Sequence, residues 1–192
     1  VMYRQGVELT LPAVSVVEQN GDKVNRVNGI AAFKENKLVG FLDAQETKYF
    51  LYIIDKCKGG LFSFPHGDGY ITMEVVTCKT KRSYTFENGR VKIKLEPVVQ
   101  GLLAVNEGDD DPTDLKAMED IRKSCAKALK SGMQQTIQKV KKELDSDIFG
   151  FGSLIFFKDH EKWNSIRNDW DELFRQIEVE IEPEIQFLST GL

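Results

Sequence analysis

The 192-residue sequence predicts an α+β fold: a curved, mainly antiparallel β-sheet packed against one long amphipathic helix and two or three shorter helices. Three observations carry this expectation. Alternating, β-branched runs broken by Asn-Gly and Gly-rich turns fill residues 7–105. A single apolar stripe with a repeat of three to four residues runs through 113–144. A second helical stretch is followed by a strictly alternating segment over 177–187. Half-apolar strands need a covering layer, and the long helix can supply it.

Bulk composition narrows the function classes. Hydrophobic residues make up 41% and charged residues 29%, enough for a sizeable core. The net charge of −4 argues against a nucleic-acid partner, because such binders carry a basic excess. No apolar run reaches the roughly 18–20 residues of a membrane span. The opening VMYRQGVELTLP has no signal-peptide pattern, so the expectation is a cytosolic protein or a chain that begins downstream of its targeting segment. Cys57, Cys78 and Cys125 are an odd set without CxxC spacing, which excludes a disulfide framework. Buried free thiols are the simpler reading, with one bridge left open.

Residues 7–17 read as a strand that Pro12 confines to an edge or bulge. Asn20-Gly21-Asp22 turns the chain into a second strand over 24–34, interrupted near Asn28-Gly29. Glu35-Asn36 turns it again, into a third strand over 37–42. Asp43 and Glu46 form a capping box for a helix placed at 44–57, ended by Gly59-Gly60. Its apolar face is Phe50, Ile53, Ile54 and Cys57. Strands follow at 61–65 and 70–81, the latter with Ile71, Met73 and Val75 on one face and Val76 and Cys78 on the other. Residues 83–86 extend it or form the next strand, Asn88-Gly89 makes a hairpin, and 90–105 alternates at Val91, Ile93 and Leu95.

The acidic run 107–111 has carboxylates for a calcium loop but lacks the EF-hand glycine and distant glutamate. It reads better as a helix start, with Asp111 as cap, Pro112 at the first position and Asp114 at the positive dipole end. Lys139, Lys141 and Lys142 suit the other end of that helix, and Gly132 marks a bend or a close contact.

Residues 146–174 concentrate both tryptophans and five of the twelve phenylalanines. Ser146 or Asp147 can cap a helix over 147–157. Gly150 and Gly152 each weaken it by roughly 1 kcal/mol against alanine, so a close backbone approach is expected to compensate. Asp159 caps a further helix with Trp163, Ile166, Trp170, Leu173 and Phe174 on one face. The last strand, marked by Pro183, alternates apolar residues with Glu178, Glu180, Glu182 and Glu184, a solvated acidic face rather than a glycosidase pair. It is expected to return beside an earlier strand, with parallel pairing allowed. His66 and His160 form no HExxH, and the sequence contains no GxSxG, Walker loop or GxGxxG after a strand. No catalytic, metal or cofactor residues are assigned.

Three segments in order carry a family resemblance: GIAAFKENKLVGFLDAQET at 29–47, DSDIFGFG at 145–152 and KWNSIRNDWDELF at 162–174, with STGL at the end. Together they resemble the C-terminal domain of GerAC-type lipoproteins, the C subunits of spore nutrient germinant receptors. The resemblance covers residues 28–192, leaving 1–27 as the tail of a preceding domain. It implies a non-enzymatic subunit that acts in spore germination through protein–protein contacts with integral-membrane A and B subunits. It also implies a lipid anchor at the outer face of the spore inner membrane. With no lipobox in this sequence, the chain is expected to be a soluble portion of such a protein. It leaves open whether this subunit meets the nutrient itself, and a solute-binding module is the alternative. Carried onto this sequence, Lys37, Gly40, Glu46, Trp163, Trp170 and Gly191 are expected to hold the fold. Asp147, Phe149, Gly150, Phe151 and Gly152 are the candidate interaction surface.

Overall fold

The computed structural model describes residues 5–107, 111 and 113–188. Gly191, Pro112 and most of the acidic run therefore lie outside the described residues.

Two positive-φ pairs, Asn20-Gly21 and Asn88-Gly89, make the tight turns their sequences call for. The first joins β1 (Thr10–Gln19) to β2 (Asp22–Lys34), and β3 (Lys37–Leu42) completes a three-stranded antiparallel sheet. The register slips between Pro12 and Val14, opposite Asn28 and Gly29, so the expected interruption is a bulge within a continuous strand. A second sheet is the meander β4 (Gly60–His66), β5 (Gly69–Glu87) and β6 (Arg90–Asn106). The chain's last strand is split by Glu182 and Pro183 into β7 (Glu178–Ile181) and β8 (Glu184–Phe187), both parallel to β6. The fold is α+β, with a curved sheet antiparallel except at this edge.

One long helix, α2 (Leu115–Lys139), covers the sheet and continues as a π-helical turn over Val140–Leu144. Three shorter helical segments join it: α1 (Ala44–Ile53), α3 (Phe151–Lys158), and α4 (His160–Ile166) running through a 3-10 turn into α5 (Trp170–Gln176). The α2 stripe from Ile121 through Cys125, Leu129, Met133 and Ile137 is buried, and faces Ile71, Met73, Val91, Ile93 and Leu95 in one apolar cluster. Each such side chain contributes about 1.5–3 kcal/mol by leaving water. Gly132 marks a close contact, since a Cβ there would fall 2.0 Å from the Tyr49 ring of α1.

Several elements differ from the sequence expectation for identifiable reasons. Helix α1 stops at Ile53 rather than 57, because Asp55 turns left-handed (φ 58°) and its carboxylate accepts the Thr80 N–H at 2.8 Å. A bulge between Val75 and Thr77 reverses the parity of β5, so Cys78 and Thr80 rejoin the core face and only Val76 points out. The α2 cap is Asp114, which accepts the Lys116 N–H, while Asp111 binds the Thr113 N–H and hydroxyl. Lys139 reaches Glu46 of α1 at 2.7 Å, a tertiary ion pair rather than a dipole complement alone. The acidic face of the last strand is paired: Lys92 meets Glu180 at 2.7 Å and Lys94 meets Glu182 at 2.6 Å. Surface pairs of this kind contribute about 0–1 kcal/mol each, so they set register more than stability.

Candidate functional site

The helical register of α2 is lost at Val140–Leu144, and Asp145 then takes a left-handed conformation (φ 48°, ψ 44°). Its N–H closes back on the Val140 carbonyl at 2.8 Å. Its carboxylate accepts two hydrogen bonds from Arg175, at 2.8 and 2.7 Å, and one from Lys34 at 2.9 Å. Arg175 and Lys34 hold the Asp145 carboxyl below its ordinary range, Arg175 contributing most. Lys34 also reaches Asp171 at 2.9 Å. The end of α2, strand β2 and helix α5 are thus pinned at one point. Ser146 adds a hydrogen bond to the Phe33 carbonyl at 2.7 Å.

Asp147 is buried beneath this corner. One carboxylate oxygen accepts the Phe151 N–H (3.1 Å); the other accepts the Gly152 N–H (2.8 Å) and the Trp170 indole N–H (3.2 Å). The first two are unsatisfied donors of α3, so Asp147 caps this helix from four and five residues upstream. The helix accordingly begins at Phe151 rather than at 147, with Gly150 left-handed before it (φ 67°). Burial pushes the Asp147 carboxyl up to about 6, against the opposing pull of these donors and of nearby Arg82. Arg82, from β5, donates to the carbonyls of Phe149 (2.8 Å) and Gly150 (3.0 Å), and its guanidinium stands 5.5 Å from the Phe151 ring centroid. Its Nε is buried with no partner among the described residues.

Residues 5–9 form a strap over the segment, with a turn at Gln5-Gly6. Glu8 N–H donates to the Asp147 carbonyl (3.0 Å), and the Gly6 carbonyl accepts the Ser153 N–H (2.6 Å). Leu9 O accepts the Phe33 N–H at 3.0 Å, and Gln5 Oε1 accepts the Trp163 indole N–H at 3.0 Å. This is the close backbone approach that the two glycines imply: a Cβ on Gly152 would lie 2.9 Å from both Gly6 Cα and the Trp163 ring. Trp163 and Trp170 meet edge to face at 5.4 Å, and Phe149 stacks on Phe151 at 5.2 Å.

The candidate surface residues Asp147, Phe149, Gly150, Phe151 and Gly152 are therefore brought together, with their side chains turned inward. Of the residues expected to hold the fold, Trp163 and Trp170 are buried here. Glu46 completes its capping box with Asp43 and pairs with Lys139. Gly40 leaves room for Leu144, whose Cδ2 would be 2.5 Å from a Cβ. Lys37 is exposed at the start of β3. The strap and Arg82 lie outside the segments that carry the resemblance, and the pairings of Lys34 and Asp145 have no local signal, since their partners lie tens of residues away. Beside the strap is a cleft of 410 Å³, walled by Val7, Trp163 and Trp170 and edged by Glu8, Arg167 and Asp171. No group of three or more candidate metal ligands occurs among the described residues, and no helix there is long and apolar enough to cross a membrane.

Comparison with known proteins gives concordant results. The family model described as spore germination B3/GerAC like, C-terminal, matches residues 28–191. Spore germination protein B3 of Bacillus subtilis (strain 168) is 24% identical over 164 residues, covering 85% of this chain and 44% of that protein. Spore germination protein KC of the same organism is 25% identical over 171 residues, covering 87% and 42%. The crystal structure of the GerBC protein superimposes with a TM-score of 0.84 at 22% identity, over 96% of this chain and 57% of that one. The chain spans less than half the length of these two curated relatives.

Proposed function

Because the chain belongs to the spore germination B3/GerAC-like C-terminal family, we propose that it works as part of a non-enzymatic C subunit of a spore nutrient germinant receptor. It acts through protein–protein contacts with the integral-membrane A and B subunits. A lipid anchor on the full-length protein holds it at the outer face of the spore inner membrane. Residues 28–192 form the GerAC-type domain and 1–27 the tail of a preceding one, a division supported by a family match that starts at residue 28.

The observation that carries this reading is how the motif uses its polar groups. Asp147 commits both oxygens to Phe151, Gly152 and Trp170, and Arg82 caps the carbonyls between them. These groups build a joint that fixes the strap. The motif therefore influences contacts through the strap it anchors, not through its own side chains. The β1–β2 ribbon offers an apolar face for partners, with Val14, Val16 and Val27 at least 60% exposed. The test is co-purification of the A and B subunits with the full-length subunit from detergent-solubilised spore membranes. Wild type should retain them and Asp147→Ala should lose them; retention by a variant with a displaced strap would contradict the reading.

A second reading, direct capture of a small solute, has the 410 Å³ cleft behind it. Calorimetric titration of the purified chain with a panel of amino acids and sugars tests it. Saturable heat abolished by Arg167→Ala would favour this reading, and no heat with any of them would reject it.

A further inference from the structure

Further back along β5, the loop after α1 is clamped to the strand at two points. Asp55 accepts the Thr80 N–H, and Gly59 lies so close that a Cβ would sit 3.0 Å from the Val75 carbonyl. Between these clamps the loop brings Cys57 beside Cys78, and the Cys57 thiol donates to the Gly59 carbonyl at 4.0 Å. Cys78 reaches this position only because the bulge at Val75–Thr77 returns it to the inner face. Both cysteines line one surface cleft of 320 Å³ rimmed by Lys56, Lys58 and Lys79. Cys57 is half-buried and Cys78 buried, while the third thiol, Cys125, is buried in α2.

We propose that Cys57 and Cys78 are a reversible thiol–disulfide pair, with Cys57 the sulfur that meets hydrogen peroxide as oxidant. The contact with Cys78 pulls the Cys57 thiol below its usual range, with smaller help from a backbone hydrogen bond at Gly59, from Tyr52 and from Lys48, and with burial opposing. The same contact, with burial, pushes Cys78 up. Cys57, half-buried where Cys78 is buried, is therefore the sulfur an oxidant reaches, and it reacts as the thiolate. The thiolate attacks one peroxide oxygen, the O–O bond breaks, and the leaving hydroxide takes a proton to become water. Cys57 is left as a sulfenic acid. Cys78 loses its proton and attacks the Cys57 sulfur, forming the S–S bond and expelling hydroxide, which is protonated to a second water. Two thiols lose two electrons and two protons, and the peroxide is reduced to two waters. The bond ties the α1–β4 loop to β5 and so makes the position of α1 sensitive to oxidants.

The experiment exposes the purified chain, in its native state, to equimolar hydrogen peroxide. The expected product is a monomer lighter by two hydrogen atoms, with a 57–78 linked peptide and only Cys125 alkylated after denaturation. Before oxidation, Cys57 should alkylate at neutral pH on the order of tenfold faster than Cys78 or Cys125. Cys78→Ser should stop at a sulfenic acid on Cys57 that dimedone captures. Retention of all three thiols, equal alkylation of the three, or bridges only between chains would each overturn the proposal. The alkylation rates are read on the native sequence, so a variant that misfolds does not blunt the test.

Discussion

Replacing Gly152 by alanine should destabilise the protein, although alanine is the better helix former. Judged by helix propensity alone, the change in the first turn of α3 would gain up to about 1 kcal/mol. The added methyl, however, would lie 2.9 Å from Gly6 Cα and 2.9 Å from Cζ3 and Cη2 of Trp163. Carbon pairs rest at about 3.5–4.0 Å, so one neighbour or both must retreat by roughly 0.6–1 Å. Neither yields easily. Gly6 is tied through its carbonyl to the Ser153 N–H at 2.6 Å. Trp163 is 4% exposed, edge-on to Trp170 and bonded to Gln5. Overpacking of this kind costs about 1–3 kcal/mol, leaving a net loss of roughly 1–2 kcal/mol. Urea unfolding followed by tryptophan fluorescence reads the change in midpoint. Hydrogen exchange locates it: the Ser153 and Glu8 amides, which bind Gly6 and Asp147, should lose protection first. A variant as stable as wild type, with both amides still protected, would refute the claim that the strap's approach is why glycine stands here.

Three further outcomes follow from the same contacts. Trp170→Ala should cost about 3–5 kcal/mol, because a 7%-exposed indole is removed and Asp147 loses a donor; an unchanged denaturant midpoint would reject the core assignment. Asp147 titrates from an ordinary 3.8 when unfolded to about 6 when folded, so its stabilising protonated form is present below about 3.8 and lost as pH rises through about 6. Asp147→Asn lacks this loss, so its stability relative to wild type should improve by about 2 kcal/mol between roughly pH 4 and pH 7; a difference independent of pH would contradict the burial account. Glu46→Ala removes both the capping-box bond to the Asp43 N–H and the partner of Lys139, and should cost about 1–2 kcal/mol by thermal unfolding, with Lys139→Met partly non-additive to it.

The parts of the fold written in local periodicity were legible in the sequence. The Asn-Gly turns, the α2 stripe and the alternation at Val91, Ile93 and Leu95 each depend on neighbours a few residues away, and each stands where its pattern puts it. The misreadings come from contacts that local sequence does not encode. Asp55 ends α1 because a strand amide 25 residues on needs an acceptor. Cys78 changes face because one bulge shifts the count by a residue. The paired glycines foretold a close approach, and Trp163 is part of it. The other part, Gly6, lies in a segment whose sequence has no motif, as does Arg82, and the pairing of Lys34 with Asp145 spans 111 residues. Asp147 was legible as a cap and its setting was not: that it would be buried, with Trp170 as a donor, depends on how α5 folds back over it.

The germination response of spores from which this domain has been deleted tests the central claim most directly. Nutrients are presented one class at a time, in a background where no second receptor covers the defect, with calcium dipicolinate as a receptor-independent trigger. The account predicts that the response to one nutrient class disappears while the dipicolinate response is unchanged. A full response to every nutrient would contradict it.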